Sequence, residues 1–337
     1  MQSKLNYLVT GGAGFIGSHT VDELLRIKKV NKIFVIDDLS NGSLNNLKIH
    51  KKNKKVDIIK KDINLLTENN KIFKEIDSII HYAGSGSIVP SIENPKKYFK
   101  DNLTGTINIL ECARKNKVKN FVYAASSSCY GLANTPTDEN HKISCESPYA
   151  LSKYMGELAA LHFGKVYNLR VNSIRIFNAF GERINTKGVY GSVFPVFFKQ
   201  FLEKKPLTLV GDGRQKRDYV YVTDVAKAFI KLSLSNSINQ EVFNLGSGKP
   251  ISINYLISKL CGKNYNIIKL PKRPAEPSIT YANIRKIKSL VKWKPTVSFD
   301  EGLENMKKDI EYWRRSKLWT KKVINKHTKT WFTYLGM

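Results

Sequence analysis

Two constellations in this chain combine residue types that do chemistry at spacings chemistry can use. The first is Gly11-Gly12-Ala13-Gly14-Phe15-Ile16-Gly17, which satisfies Gly-x-Gly-x-x-Gly while Gly11, Gly14 and Gly17 also recur at intervals of three. Residues without a Cβ let a backbone turn tightly and approach a pyrophosphate, whose charge then meets the free N–H groups and dipole of a helix beginning at Phe15. Glycines alone are weak evidence. Here an apolar run precedes them, a helical pattern follows, and Asp37 stands twenty residues past Gly17 at the end of a second β-rich run. Gly11, Gly14, Phe15, Ile16 and Gly17 are therefore expected to hold a dinucleotide, with Asp37 accepting hydrogen bonds from its adenosine ribose. The charge of Asp37, reinforced by Asp38, repels a 2′-phosphate and favours NAD over NADP. Asp62-Ile63, just past the third β-rich run, is placed to meet the adenine.

The second constellation is Tyr149-x-x-x-Lys153. On a helix this spacing puts both side chains on one face, one turn apart. A tyrosine with a pKa of ~10 is a poor base at neutral pH, but an adjacent ammonium and a nicotinamide cation both favour the phenolate. Tyr149 can then take a proton from a substrate hydroxyl.

The elements that must position these residues follow from hydrophobic patterning. Strands are expected at Asn6 to Val9, Ile33 to Ile36, Val56 to Ile59, Ser78 to His81, Phe121 to Ala124 and Val171 to Ile174. Helices are expected from Phe15, over Tyr98 to Lys115, and from near Tyr149. Such alternation makes an α/β fold, a doubly wound parallel sheet covered on both faces. After about Phe180 the regularity gives way to Gly- and Pro-containing loops with shorter elements at Val189 to Phe201, Leu207 to Val210 and Thr223 to Leu234. Residues 1–180 are read as the dinucleotide-binding domain. Residues 181–337 are read mainly as a smaller α/β substrate lobe, with some segments returning to the first domain. The tail from Asp309 carries Trp313, Trp319 and Trp331 among basic residues and reads as a helical extension packing on the body or on a partner subunit.

Composition bounds the function class. With 337 residues, 42% of them hydrophobic, the chain fills a sizeable core. No apolar run approaches the ~20 residues that span a bilayer, and the start leads directly into a strand rather than a signal segment, so a cytoplasmic protein is expected. Cys112, Cys129, Cys145 and Cys261 form no CxxC pair and are read as free thiols, with no metal site expected. The net charge of +28 would attract nucleic acid, an anionic membrane or an anionic substrate. Because the lysines are spread along the chain and no arginine-rich stripe with interleaved aromatics occurs, a small anionic ligand is favoured over nucleic acid or membrane.

Further motifs carry a family resemblance. They are His81-Tyr82-Ala83, Asn102, Ser126-Ser127-Ser128 before Tyr130-Gly131, Arg175-Ile176-Phe177-Asn178, Gly211-Asp212-Gly213, Arg217-Asp218-Tyr219, Asn244-Leu245-Gly246 and Arg273-Pro274. With the glycine loop, Asp62-Ile63 and the Tyr149/Lys153 pair, they make residues 5 to 310 resemble an extended short-chain dehydrogenase/reductase with a Rossmann domain, most like the UDP-hexose 4-epimerases. The resemblance implies bound NAD contacted also by Ala83, with Asn102 and Lys153 steadying the nicotinamide-side ribose. It implies a UDP-sugar bound by Ser126, Ser127, Ser128, Tyr149, Asn178, Arg217, Arg273 and Thr280. Asn178 would bond the diphosphate, Arg217 and Arg273 would clamp it, and Thr280 would stand at the gate that admits or refuses a 2-acetamido group. Ala275-Glu276 replaces the family's usual Gly-Asp, and Ile176 its frequent Tyr.

The triplet before Tyr130 sorts the chemistry. The 4,6-dehydratases that this sequence otherwise resembles carry Thr-Asp-Glu there, an acid–base set for elimination. Ser126-Ser127-Ser128 offers only hydroxyls, enough for Ser126 to hold O4 beside Tyr149, and this favours epimerisation. A purely structural role, capping the strand end, fits Ser128 better than Ser126. The implied catalytic set is Ser126, Tyr149 and Lys153, and a homodimer through the helices of Tyr98 to Lys115 and Tyr149 to Phe163 is implied by the resemblance alone. The rival enzyme reading is a UDP-glucuronate 4-epimerase, whose C6 carboxylate would meet the serines and Arg183. A remote rival is a non-catalytic dinucleotide-fold protein binding RNA through its charge.

Overall fold

The β-branched runs become strands of one parallel sheet in the computed structural model, which describes residues 4–186, 192–262 and 264–336. The strands are β1 (Leu5–Thr10), β2 (Val30–Asp37), β3 (Val56–Lys60), β4 (Ser78–His81), β5 (Asn120–Ser126), β6 (Arg170–Ile176), β7 (Asn178–Phe180), β8 (Leu207–Val210), β9 (Lys216–Arg217), β10 (Tyr219–Tyr221), β11 (Val242–Leu245), β12 (Ile251–Ser252) and β13 (Ile267–Leu270). The main sheet has seven strands in the order β11-β6-β5-β4-β1-β2-β3, every neighbouring pair parallel. The order reverses beside β1, so a crevice opens at the carboxyl ends of β1 and β4, where ligands bind in sheets of this kind.

The helices are α1 (Phe15–Leu25), α2 (Ile88–Glu93), α3 (Pro95–Phe99), α4 (Gly105–Lys115), α5 (Pro148–Tyr167), α6 (Val193–Leu202), α7 (Val222–Leu234), α8 (Ile253–Cys261), α9 (Arg285–Leu290), α10 (Phe299–Lys308), α11 (Ile310–Arg314) and α12 (Lys321–Leu335). Successive strand residues point to opposite faces. Val9, Val35, Ile80 and Val122 therefore join one core, with Val21 of α1, Val225 and Phe229 of α7 and Ile287 of α9. Leu8, Phe34, Ile79 and Phe121 join another, with Ile109 and Leu110 of α4 and Ala160 of α5. Helix α5 has its signals in sequence: Ser147 caps it by accepting from Ala150 N, Pro148 opens it, and Asn168 ends it in the left-handed region.

Two expectations change, and a third is narrowed. The single helix over Tyr98 to Lys115 is α3 and α4 joined by a π-helical turn, Lys100–Thr104, in which Asn102 is fully buried. The wider turn accompanies an inward-turned side chain, as π-turns often do at functional sites. Of the element expected at Val189 to Phe201, Val189 lies outside the described residues, and the helix runs Val193–Leu202. The tryptophan tail packs on the body, one of the two placements expected of it. Trp313 stacks on Phe198 at 4.6 Å, and Trp313, Trp319 and Ile324 join a further hydrophobic core with Phe194, Leu256 and Met306. Helix α12 then crosses to pack against α2. Among the described residues, no helix is long and apolar enough to cross a membrane.

Candidate active site

The carboxyl ends of the strands surround a cavity of about 410 Å³. Gly11 follows β1 with φ +66°, and a Cβ there would stand 2.7 Å from Ala83 N, so only glycine lets the loops after β1 and β4 meet. A Cβ on Gly17 would collide with the Gly11 carbonyl oxygen, so glycine also lets α1 start against that loop. Gly14 caps α1 with no side-chain acceptor, and Gly14, Phe15, Ile16 and Gly17 line the cavity beside the helix's first N–H groups.

At the end of β2, Asp37 is 7% exposed; its Oδ2 accepts from Ala13 N (3.0 Å) and its Oδ1 from Leu39 N (2.8 Å). Burial raises its pKa while these donors oppose the rise. Asp38 is exposed at the rim and accepts from Ser40. Asp62 accepts from Asn64 N (2.8 Å) and Asn64 Nδ2 (2.9 Å). That leaves Asn64 Oδ1 buried with no protein partner on a residue that lines the cavity. The glycine cradle, the half-satisfied Asp37 carboxylate and this acceptor, available to an adenine amino group, fit a dinucleotide laid across the strand ends. Asn64 was missed in the sequence, although its place two residues past Asp62 marks a turn; Lys61, Asn41 and Asn185 also line the cavity unforeseen.

Ser126, Tyr149 and Lys153 converge on the same cavity from β5 and α5. Ser126 Oγ accepts from Ser128 N (3.2 Å) and Ser128 Oγ (2.9 Å), leaving its own proton to donate. The capping role expected of Ser128 thus belongs to Ser126, because the chain turns into a 3₁₀ helix immediately after it. Ser127 and Ser128 do not line the cavity.

Without a nicotinamide cation, burial dominates the ionisation of both Tyr149 and Lys153. Burial raises the Tyr149 pKa, with the Ser126 hydroxyl opposing, and burial pushes Lys153 down to about 7, with Glu157 opposing. Loss of water around both charges outweighs their neighbours. The Lys153 ammonium also sits 4.4 Å from the Tyr123 ring centre.

Asn102 does not reach the cavity. Its amide donates to Ser85 O (3.0 Å) and Ser152 Oγ (2.9 Å) and accepts from Ser85 N (2.8 Å), so it braces the cavity-lining Gly84–Gly86 loop against α5 from behind. The ribose contact expected of it is spent on the protein itself.

Asn178, Arg217, Arg273 and Thr280, the remaining residues implied for substrate, are linked to one another but do not themselves line the cavity. Asn178 lies between Phe177 and Ala179, which line it. The Thr280 hydroxyl donates to Asn178 Oδ1 (2.9 Å) and accepts from Asp218 N (3.3 Å). Arg217 pairs with Glu276 Oε1 at 2.8 Å, and Arg273 lies 3.7 Å from Glu276 Oε2. Glu276 therefore holds the two guanidiniums together, a role the sequence did not disclose. Arg183 goes elsewhere: it pairs with Asp22 of α1 at 2.8 Å and does not line the cavity.

A buried network supports α5 behind the site. Glu157, one turn past Lys153, accepts from Arg175 Nη2 (2.6 Å), from Arg175 Nε at both oxygens (3.1 Å each) and from Ser173 Oγ (2.8 Å). Arg175 Nη1 donates to the Tyr130 hydroxyl, which donates to Asn244 Oδ1. The i, i+4 step from Lys153 to Glu157 was the available signal for this network.

Comparison with known proteins agrees with this geometry. The family model described as the NAD dependent epimerase/dehydratase family matches residues 7–246. The chain is 38% identical over 305 residues to a putative UDP-glucose 4-epimerase of Methanocaldococcus jannaschii, across 89% of this chain and 96% of that one. The structure of a UDP-N-acetylglucosamine 4-epimerase from Methanobrevibacter ruminantium, in complex with UDP-N-acetylmuramic acid, is similar with a TM-score of 0.85 and 32% identity, over 92% of this chain and 98% of that one. A UDP-glucuronic acid 4-epimerase from Bacillus cereus, in complex with UDP-glucuronic acid and NAD, is similar with a TM-score of 0.85 and 30% identity, over 91% and 99%. With the glycine cradle, Asp37 and the Ser126/Tyr149/Lys153 set gathered at the strand ends, this chain belongs to the NAD-dependent epimerase/dehydratase family.

Proposed function

We propose that this chain inverts C4 of a UDP-linked hexose through a transient 4-keto sugar. The observation that carries the reading is the convergence of Ser126, Tyr149 and Lys153 on the cavity that the glycine cradle and Asp37 also line. Gly11 to Gly17, Asp37, Asp38, Asp62, Ile63, Asn64 and Ala83 would hold NAD, which when bound supplies a hydride acceptor and returns the hydride without leaving. Its nicotinamide cation would oppose the burial that raises Tyr149.

Tyr149 takes the O4 proton, Ser126 donates a hydrogen bond to O4 throughout, and Lys153 keeps a positive field beside both. The Tyr149 phenol then returns the proton once the sugar has presented its opposite face. No carboxylate stands in the Ser126 to Ser128 triplet, so elimination lacks the acid–base pair a dehydratase needs. Asn178, Arg217 and Arg273 would engage the diphosphate, a task suited to guanidinium forks.

The small Thr280 side chain, whose hydroxyl folds back onto Asn178, supports a site that admits a 2-acetamido group. UDP-GlcNAc/UDP-GalNAc is accordingly proposed alongside UDP-Glc/UDP-Gal. A homodimer through α4 and α5 is also proposed, supported by the exposed Ile107, Leu151 and Leu158 on these helices.

The test is to incubate the purified protein with UDP-GlcNAc, UDP-glucose and UDP-glucuronate in turn, without added cofactor, and follow C4 inversion by proton NMR. Inversion of either of the first two, abolished in Tyr149→Phe with NAD still bound, is expected. Inversion of the glucuronate alone would move the substrate to a uronate, and inversion of none, with NAD bound, would refute the reaction.

A further inference from the structure

The C-terminal helix takes no part in the reaction above, yet its placement is specific. Ile324 and Thr328 of α12 are buried, Ile324 in the hydrophobic core that also holds Trp313 and Trp319. Trp331, 6% exposed, is near the far end of the helix. Its Nε1 donates to the Pro274 carbonyl oxygen at 2.8 Å, and its ring centre lies 5.3 Å from the Arg273 guanidinium carbon, within cation–π range. The same helix packs along α2, where Thr330 Oγ1 donates to Glu93 Oε1 at 3.4 Å. Helix α2 begins directly after the Gly84–Gly86 loop that lines the cavity. One helix therefore contacts both α2, which follows the cavity-lining loop, and the segment that carries Arg273.

The segment it grips has little regular structure of its own. Residues 271–277 belong to no strand or helix, and Ala275 adopts φ +53°, a conformation that a residue with a Cβ holds only when its surroundings impose it. Trp331 supplies a donor to the carbonyl just before Ala275 and a flat face for the guanidinium two residues before it. A tryptophan does both at once; phenylalanine offers only the face.

We propose that Trp331 is a positioning residue that holds Arg273 in the orientation its guanidinium needs to meet a nucleoside diphosphate, so that the C-terminal helix sets affinity for that half of the substrate. The inference rests on the assignment of Arg273 to the diphosphate. A misplaced guanidinium loses most of a charge-assisted bidentate contact, which is worth about tenfold in affinity.

The experiment measures UDP binding calorimetrically to the NAD-loaded protein and to Trp331→Ala, Trp331→Phe and Arg273→Ala, with melting temperatures and NAD content determined in parallel. Arg273→Ala and Trp331→Ala are expected to weaken UDP about tenfold, and Trp331→Phe, which keeps the ring but loses the donor, about threefold. The KM for the sugar nucleotide should rise in the same order while kcat changes much less. A purely structural role would lower the melting temperature and the folded yield but leave the UDP affinity of the folded protein at the wild-type value. That result in Trp331→Phe, or in Trp331→Ala if it folds, with Arg273→Ala weakened, overturns the inference. Wild-type affinity in Arg273→Ala instead overturns the assignment of Arg273 to the diphosphate, and the inference with it.

Discussion

Replacing Glu157 with glutamine should weaken the protein and narrow its working pH range through one buried contact. Tyr149, Lys153 and Glu157 follow one another at intervals of four along α5, and the Glu157 carboxylate receives four hydrogen bonds, three from Arg175 and one from Ser173. The side chains of Arg175 and Glu157 are 6% and 1% exposed, so water cannot stand in for a lost partner. Removing one charge of such a pair costs about 3–5 kcal/mol, because the other stays buried without compensation. Against a typical stability of about 5–15 kcal/mol the variant should still fold, with its urea midpoint lower by about 1–2 M. Replacing both residues with methionine removes the orphaned charge and should recover most of that loss, since Tyr130 keeps Asn244 as a partner. The activity profile supplies a second reading. Glu157 opposes the burial that pushes Lys153 down to about 7, so its removal should move the alkaline limb of kcat to lower pH. A midpoint within about 0.3 M of wild type, or a double variant no more stable than the weaker single one, would refute the reasoning.

Asp37→Asn preserves the side-chain shape but removes the charge that repels a 2′-phosphate, so NADP binding should gain about tenfold relative to NAD. An unchanged ratio in a cofactor competition assay would show that Asp37 does not set the preference. Acidification should destabilise the fold through two histidines. Burial lowers His81 to about 3 and His19 to about 4, whereas an unfolded chain titrates near ~6.5. The unfolded chain therefore takes up protons first, and stability falls by about 1–1.5 kcal/mol per histidine between pH 7.5 and 5.5. Urea unfolding at the two pH values should show a shallower loss for His81→Gln; an equal loss contradicts the buried, neutral His81.

The placement of residues that depends on local spacing was legible in the sequence. The glycine loop, Asp37 at the end of β2 and the Tyr149/Lys153 step on α5 need only a strand, a turn or a helix around them, and short-range periodicity specifies these. Ser126 was likewise found by its place at a strand end, although its capping of the next turn was assigned to Ser128. What the tertiary structure decided involves residues far apart in the chain. Asn102 turns inward at a π-turn to bind Ser85 and Ser152, Arg183 pairs with Asp22 of α1, and Glu157 finds Arg175 on β6. Trp331 reaches Pro274 and Arg273 only because α12 folds back across α2. Neither spacing nor composition carries such pairings; they arise when burial forces each polar group to find a partner among whatever the packed elements bring near.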